Sequence, residues 1–101
     1  MSDFEREMRP ERIGYRMKLL RTAFNMKPAE VSDYLGVERT YWSRSENGKR
    51  QIPDTLAVQL VVRFGVTLDW LILGRWDKLS MDLADKLRAA EAEVGPPPPE
   101  K

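Results

Sequence analysis

Glycine and proline residues in the middle of the chain strongly limit how this region can fold. Pro28 is suited to the first turn of a helix, and Gly36 supplies the left-handed conformation that commonly ends one. After only two further residues, a second helical segment runs over residues 39–47, and Gly48 stops it. The pattern therefore predicts two short helices joined by a tight turn.

Apolar residues at three- and four-residue spacing predict further helices on either side of this pair. A helix is expected to begin near Pro10 and to end by Asn25, with an inward face made of Ile13, Met17, Leu20 and Phe24. A later helix begins with Asp54 as its N-cap or with Pro53 in its first turn, and it buries Leu56, Leu60, Val61 and Phe64. No alternation of apolar and polar residues lasts long enough to predict a strand.

The C-terminal part of the chain is expected to add one short helix and one longer helix. Thr67 is suited to cap a helix over residues 68–73. Residues 81–93 are rich in Ala, Leu, Lys and Glu, which favour a helix. The apolar stripe of this last helix is thin and consists of Leu83 and Leu87. Gly95 and the four prolines after it predict an extended tail.

Together these elements predict an all-α chain built on a compact five-helix domain over residues 10–76. The remaining segments are a flexible N-terminal arm over residues 1–9, a helical C-terminal extension over residues 77–94 that adds a sixth helix, and a disordered proline-rich tail over residues 95–101. A chain of 101 residues has room for one compact core but not for two.

The absence of cysteine and histidine narrows the chemistry that the chain can perform. It excludes disulfides, thiolate nucleophiles, imidazole bases and the metal sites that use these ligands, so neither a metal nor a cofactor is expected. No Gly-rich phosphate loop or catalytic spacing favours an enzyme. No run approaches the roughly 18 apolar residues of a membrane span, and the N-terminus is acidic where a signal peptide is basic. We therefore expect a soluble, cytoplasmic protein that has no membrane partner.

Positive charge is concentrated in the first half of the chain. Residues 1–50 carry 11 basic and 8 acidic side chains, a net charge of +3, whereas residues 51–101 carry 6 and 8, a net charge of −2. Residues 39–50 alone have a net charge of +3. A solvated charged face could have this composition, but a basic patch is also what phosphate binding requires. This basic patch lies on and after the second of two short helices. Two short helices joined by a turn are the arrangement that places a helix in the DNA major groove.

A more specific pattern extends through the turn and the second helix. Its elements are Gly36 and Val37 in the turn, Trp42 and Ser43 in the helix, the ending Glu46-Asn47-Gly48, and Pro53. Further along, the segment FGVTLDWLILG over residues 64–74 matches a common ending of the same type of domain. Over residues 12–76 the chain thus resembles the helix-turn-helix family of phage Cro proteins and repressors, the XRE type. The resemblance implies that helix 39–47 enters the major groove of double-stranded DNA.

The resemblance and helix geometry together imply roles for individual side chains. With Trp42 turned into the core, base contacts are expected from the exposed residues Arg39, Thr40, Ser43 and Arg44. Phosphate contacts are expected from Lys27, Tyr41, Asn47, Lys49 and Arg50. A partly buried aromatic remains an alternative role for Tyr41, and a helix C-cap remains one for Asn47. The resemblance also implies a structural ion pair between Arg21 and Glu46.

Three positions depart from the family pattern. Lys27 and Pro28 replace a small capping residue and a phosphate-binding glutamine, so only Lys27 can provide a phosphate contact there. Glu38 precedes the second helix where serine or threonine is common; its carboxylate can cap the helix but repels a nearby phosphate. Asp54 replaces an arginine that reaches the minor groove in some phage repressors. The presence of Asp54 weakens the expectation of minor-groove contacts.

A homodimer is expected, because a single helix-turn-helix contacts few base pairs and such proteins pair across a two-fold axis on a palindromic operator. Its interface is predicted at Trp70, Leu73 and Trp76, since a short helix here carries more large apolar side chains than a small monomer can bury. The alternative is that Trp70 and Trp76 complete the core under the sixth helix.

The predicted function is that of a sequence-specific transcriptional regulator, acting as a repressor, from a bacterium or a phage and associated with the nucleoid when bound. Two alternatives remain open. The protein could be an antitoxin that binds its own operator and also a toxin protein, with the tail from Asp77 onward as the segment that would contact that partner. It could also be a protein-interaction module without DNA contact, an alternative that the basic residues 39–50 argue against.

Overall fold

The structure, a computed structural model, describes residues 3–99, and this part of the chain contains seven α-helices and no strand. In chain order they are α1 (Asp3–Glu7), α2 (Pro10–Ala23), α3 (Pro28–Leu35), α4 (Arg39–Glu46), α5 (Asp54–Phe64), α6 (Leu68–Leu73) and α7 (Met81–Val94). The all-α prediction is confirmed. Helices α2 to α6 lie where five helices were expected and α7 is the sixth, whereas α1 was not predicted. None of these helices is long and apolar enough to cross a membrane.

Local sequence signals account for most of the helix boundaries. Gly36 and Gly74 adopt left-handed conformations directly after α3 and α6, as their positions suggested. The Thr67 hydroxyl caps α6 by accepting a hydrogen bond of 2.9 Å from the backbone N–H of Trp70. Helix α5 begins differently from either expectation, because Pro53 itself is the N-cap, in extended conformation, and Asp54 is the first helical residue. Proline suits this position because its fixed φ allows the extended conformation that precedes a helix.

Helix α2 is the central element of the core and packs against both α4 and α7. Its buried apolar side chains are Ile13, Met17, Leu19 and Leu20. Facing residues come from α3, α5 and α7, namely Val31, Leu35, Leu56, Leu60, Leu83, Leu87 and Ala90. Phe24, Val61 and Phe64, which were expected inside, are only partly buried and lie at the edge of this cluster. Helix α7 therefore completes the main core, although its apolar stripe looked thin.

Residues 3–9 differ from the flexible arm that was expected, because α1 is connected to the rest of the domain through Arg16. The Arg16 guanidinium forms an ion pair with Glu7 of 2.8 Å and donates hydrogen bonds to the carbonyls of Leu71, at 2.7 Å, and Ile72, at 3.1 Å. Burial lowers the pKa of Arg16, and the Glu7 carboxylate opposes that shift. Arg16 thus joins α1, α2 and α6 in one polar contact. Met1 and Ser2 of the predicted arm lie outside the described residues.

Trp70 lies inside the protein and is not available to a partner chain, contrary to its predicted place in a dimer interface. Its side chain has 0% exposure, and its ring meets Trp76 edge to face with 6.0 Å between centroids. The guanidinium of Arg88, on α7, lies 3.8 Å from the Trp76 ring centroid. The physical reason is that Trp76 packs against Trp70 and is itself covered by Arg88 of α7, so Trp70 belongs to the core of the monomer.

The start of the proline-rich end contacts the domain in the described range. The Tyr15 hydroxyl donates a hydrogen bond of 2.6 Å to the carbonyl of Gly95, and Pro97 lines a cleft of about 180 Å³ together with Tyr15 and Trp76. Burial raises the pKa of Tyr15, and the nearby Glu91 carboxylate adds to the shift. The disordered tail was predicted over residues 95–101, of which Glu100 and Lys101 lie outside the described residues.

Candidate nucleic-acid interface

A tight turn at Gly36 sets the position of α4 relative to α3. The backbone N–H of Gly36 donates to the carbonyl of Asp33 at 3.2 Å, and that of Val37 donates to Ser32 at 3.0 Å, so the last carbonyls of α3 are satisfied. Glu38 is extended and precedes α4 as its N-cap, but its side chain makes no capping hydrogen bond to the helix within the described part of the chain. The capping role suggested for Glu38 is therefore wrong in this structure, and its carboxylate is exposed.

The inner face of α4 is fixed by one buried aromatic ring and one carboxylate. Trp42 has 0% exposure, and its indole N–H donates to the Glu46 carboxylate at 2.9 Å. Arg21 on α2 donates to both oxygens of the same carboxylate, at 2.5 Å and 3.0 Å. The structure thus brings together the two residues of the predicted ion pair, in the bidentate geometry that makes such contacts strong and directional.

Gly14 allows α2 and α4 to approach each other closely. A Cβ atom at this position would lie 2.3 Å from the carbonyl oxygen of Glu46 and 2.6 Å from that of Ser45. Real side chains cannot occupy that space, so only glycine permits the observed packing. Gly14 was not among the residues predicted to matter, although an isolated glycine inside a predicted helix is itself a signal of close packing.

The outer face of α4 displays the four residues predicted to contact bases. Arg39, Thr40, Ser43 and Arg44 are all exposed. Arg39 forms an ion pair with Asp33 of α3 at 2.8 Å. This contact lowers the pKa of the Asp33 carboxyl, chiefly through the hydrogen bond, and raises the pKa of Arg39 in the same way. The Arg44 side chain, in contrast, has no hydrogen bond or ion pair with any residue from 3 to 99.

The residues predicted to contact phosphates lie around this face rather than on it. Lys49 and Arg50 are exposed in the segment that follows α4, and Lys27 is exposed at the N-cap of α3. Tyr41 is partly buried, and the Arg50 guanidinium lies 4.1 Å from its ring centroid. A cation held over a ring in this way loses part of its conformational freedom. Lys49 and Arg50 therefore place positive charge directly after α4.

Asn47 occupies the C-cap of α4 and folds back onto the helix. Its side-chain amide donates to the Ser43 carbonyl at 2.8 Å and to the Ser43 hydroxyl at 3.3 Å. The left-handed position expected near this end is taken by Gly48, with a φ of 72°, and not by Asn47. Asn47 is therefore a helix C-cap in this structure, as the alternative role predicted. Its amide also contacts the hydroxyl of Ser43, a predicted base-contacting residue.

Comparison with known proteins agrees with this arrangement. A family model described as helix-turn-helix matches residues 17–71, which is more than half of the chain and runs from α2 into α6. No curated protein matches the chain, and no solved structure does. The matched segment contains α3, the turn and α4 entire. The chain therefore belongs to the Cro/C1-type helix-turn-helix family, the XRE family of DNA-binding regulators.

Proposed function

We propose that this protein is a transcriptional repressor that binds a palindromic operator as a homodimer and inserts α4 into the major groove. One observation carries the proposal: the outer face of α4 is polar, basic and exposed, while its inner face is anchored to α2 through Trp42 and Glu46. A side chain can specify a base only if the element that carries it is held in a fixed position. The buried contacts of α4 meet that requirement.

The two groups of polar residues fit different tasks on DNA. Arg39 and Arg44 carry planar forks of N–H donors that match the acceptor edge of guanine, and Thr40 offers a hydroxyl and a methyl group. Lys49, Arg50 and Lys27 supply positive charge beside the helix, where contacts to phosphates fix the register without specifying sequence. Tyr41 supports Arg50 in this role through the ring contact. We therefore assign base contacts to the face of α4 and phosphate contacts to its surroundings.

A second copy of the chain is proposed to bind on α5 and α6. Here Val58 and Leu68 are about half exposed, at 52% and 48%, and Val62 is exposed at 74%. An apolar groove of about 490 Å³ adjoins them, and Ile52, Ala57 and Ile72 line part of it. Clustered exposed apolar side chains of this kind commonly mark an interface. Leu73 and Trp76 are partly buried, and neither lines this groove.

Selection of bound DNA from random fragments, followed by sequencing, tests the proposed function. The wild-type protein should enrich an inverted repeat whose half-sites are about 10 base pairs apart, the spacing expected for a two-fold dimer. Failure to enrich any sequence at low salt would exclude a sequence-specific regulator.

Two variants then separate base contacts from phosphate contacts on the selected site. Arg44→Ala should weaken binding by about 1 to 3 kcal/mol and relax the preference at one base pair in each half-site. Lys49→Ala should weaken binding to all sequences alike and reduce the slope of log affinity against log salt by about one unit. Equal effects of both variants on every sequence would argue against α4 as the element that specifies bases.

A further inference from the structure

Asp33 holds one edge of the Arg39 guanidinium across the turn of the helix-turn-helix. The Nε atom of Arg39 donates to Oδ1 of Asp33 at 3.3 Å, and Nη2 donates to Oδ2 at 2.8 Å. Each carboxylate oxygen therefore accepts one hydrogen bond from the same side of the planar group. This bidentate contact connects the last turn of α3 to the first residue of α4.

The donors that remain on Arg39 form a second edge. A guanidinium carries five N–H groups, one on Nε and two on each Nη. Asp33 uses the Nε–H and one N–H of Nη2, so the other N–H of Nη2 and both of Nη1 are left. One N–H from each Nη points away from the side chain in parallel. Two parallel donors are what the O6 and N7 acceptors of guanine bind in the major groove.

Both side chains of this pair are accessible from solvent. The Arg39 side chain is 66% exposed and that of Asp33 is 59% exposed, so most of each side chain is open to solvent. Arg44 has no such support and must lose more rotamer freedom when it contacts a base. Arg39 is therefore the arginine whose orientation is set before DNA arrives.

We propose that Asp33 is a positioning residue for base recognition, which holds Arg39 so that its outer Nη1/Nη2 edge is presented to a guanine. The inference rests on the proposed DNA-binding function. It adds the base that Arg39 contacts, guanine, and the residue that orients Arg39, Asp33. Because its negative charge repels nearby phosphates, Asp33 lowers the affinity for DNA of any sequence while it raises the preference for guanine. Affinity and specificity should thus respond in opposite directions when Asp33 is replaced.

The experiment uses the full chain and the operator selected by the wild-type protein. The base pair that loses its preference in Arg39→Ala is identified first. The ratio of Kd for adenine to Kd for guanine at that position is then measured in the wild type, Asp33→Ala, Arg39→Ala and the double variant. Glu38→Ala is the matched control, because it removes one exposed acidic charge near the same turn from a side chain that does not pair with Arg39.

Arg39→Ala is expected to reduce this ratio by roughly fivefold or more. Asp33→Ala should reduce it by about two- to fivefold at the same base pair, leave other positions unchanged and raise the affinity for random DNA. The double variant should equal Arg39→Ala in its base preference. Glu38→Ala should raise the affinity for random DNA without changing the ratio at any position.

Two results would overturn the inference while DNA binding stands. Arg39→Ala could leave every base preference intact, or Asp33→Ala could leave the ratio unchanged, as Glu38→Ala is expected to do. Thermal unfolding of Asp33→Ala and Asp33→Asn establishes that both variants are folded, and both should show the loss of guanine preference. If the wild-type protein itself enriches no sequence, the proposed function falls and this inference falls with it.

Discussion

Glu46 joins side chains from two helices through a single carboxylate. It accepts hydrogen bonds from the Trp42 indole and from two nitrogens of Arg21, and its own side chain is only 7% exposed. Removing the carboxylate leaves a mostly buried guanidinium and an indole N–H without this acceptor. Glu46→Ala is therefore expected to lower the free energy of unfolding by about 3 to 5 kcal/mol.

Urea denaturation measured by circular dichroism gives this free energy. Glu38→Ala is the control, since Glu38 is exposed and makes no capping hydrogen bond to α4 within the described residues, and it should change the stability little. Equal unfolding midpoints for Glu46→Ala and the wild type would show that the ion pair contributes nothing to the stability.

At the residue scale, the sequence could predict which side chains turn outward on α4 but not what each of them contacts. The exposure of Arg39 and Arg44 follows from helical periodicity once Trp42 faces inward. The pairing of Arg39 with Asp33 depends on how α3 and α4 cross, which no periodic pattern encodes. Trp70 shows the same limit, because counting apolar residues on α6 left open whether a partner chain or the rest of the monomer buries it, and the structure buries it in the monomer.

At the scale of elements, Gly14 determines how closely α4 approaches α2. Alanine inside a helix is ordinarily more stable than glycine by about 0.5 to 1 kcal/mol. At this position its Cβ would lie 2.3 Å from a backbone carbonyl oxygen of α4, and that backbone cannot move without disturbing Trp42 and Glu46. Gly14→Ala is thus expected to destabilise the protein by about 1 to 3 kcal/mol, opposite in sign to the usual effect.

Thermal unfolding and binding to the selected operator test this expectation together. Lys18→Ala, at an exposed position of the same helix, serves as the control and should be close to neutral in both measurements. A stabilised Gly14→Ala variant with full affinity for DNA would contradict the close approach of the two helices.

Helix boundaries were more predictable than the way in which the helices are joined. The ends of α3 and α6 follow from local signals, since a glycine in the left-handed conformation needs no tertiary partner. Helix α1 has no buried residue and therefore no apolar stripe that periodicity could detect. The contacts of Glu7 with Arg16, which itself bonds to carbonyls on α6, connect it to the domain. Such polar contacts between distant segments produce no periodic pattern from which they could be predicted.

At the scale of the whole molecule, the exposed apolar side chains on α5 and α6 predict self-association. Val62 is 74% exposed, so Val62→Asp should have little effect on the stability of the monomer but should place a charge in the proposed dimer interface. We expect wild-type protein to show a concentration-dependent monomer–dimer equilibrium in sedimentation experiments, and Val62→Asp to remain monomeric. The variant should also bind the full operator more weakly than the wild type does.

Met81→Asp is the matched control for this test. Met81 is even more exposed, at 81%, but lies at the start of α7, outside the proposed interface. It should associate and bind DNA as the wild type does. A wild-type protein that stays monomeric at all concentrations would exclude this interface, and equal effects of the two variants would place it elsewhere.

The burial of Trp42 places a fluorescent side chain on the inner face of α4, the helix that is proposed to contact DNA. The chain contains three tryptophans, of which Trp42 and Trp70 have no exposed surface and Trp76 lies beneath Arg88. The Trp42 indole faces α2 and the Glu46 carboxylate, away from the face that is proposed to contact DNA. Because Trp42 and Trp70 are fully buried and Trp76 is partly covered, a shift of the tryptophan emission to longer wavelength would report a loss of packing without any added label.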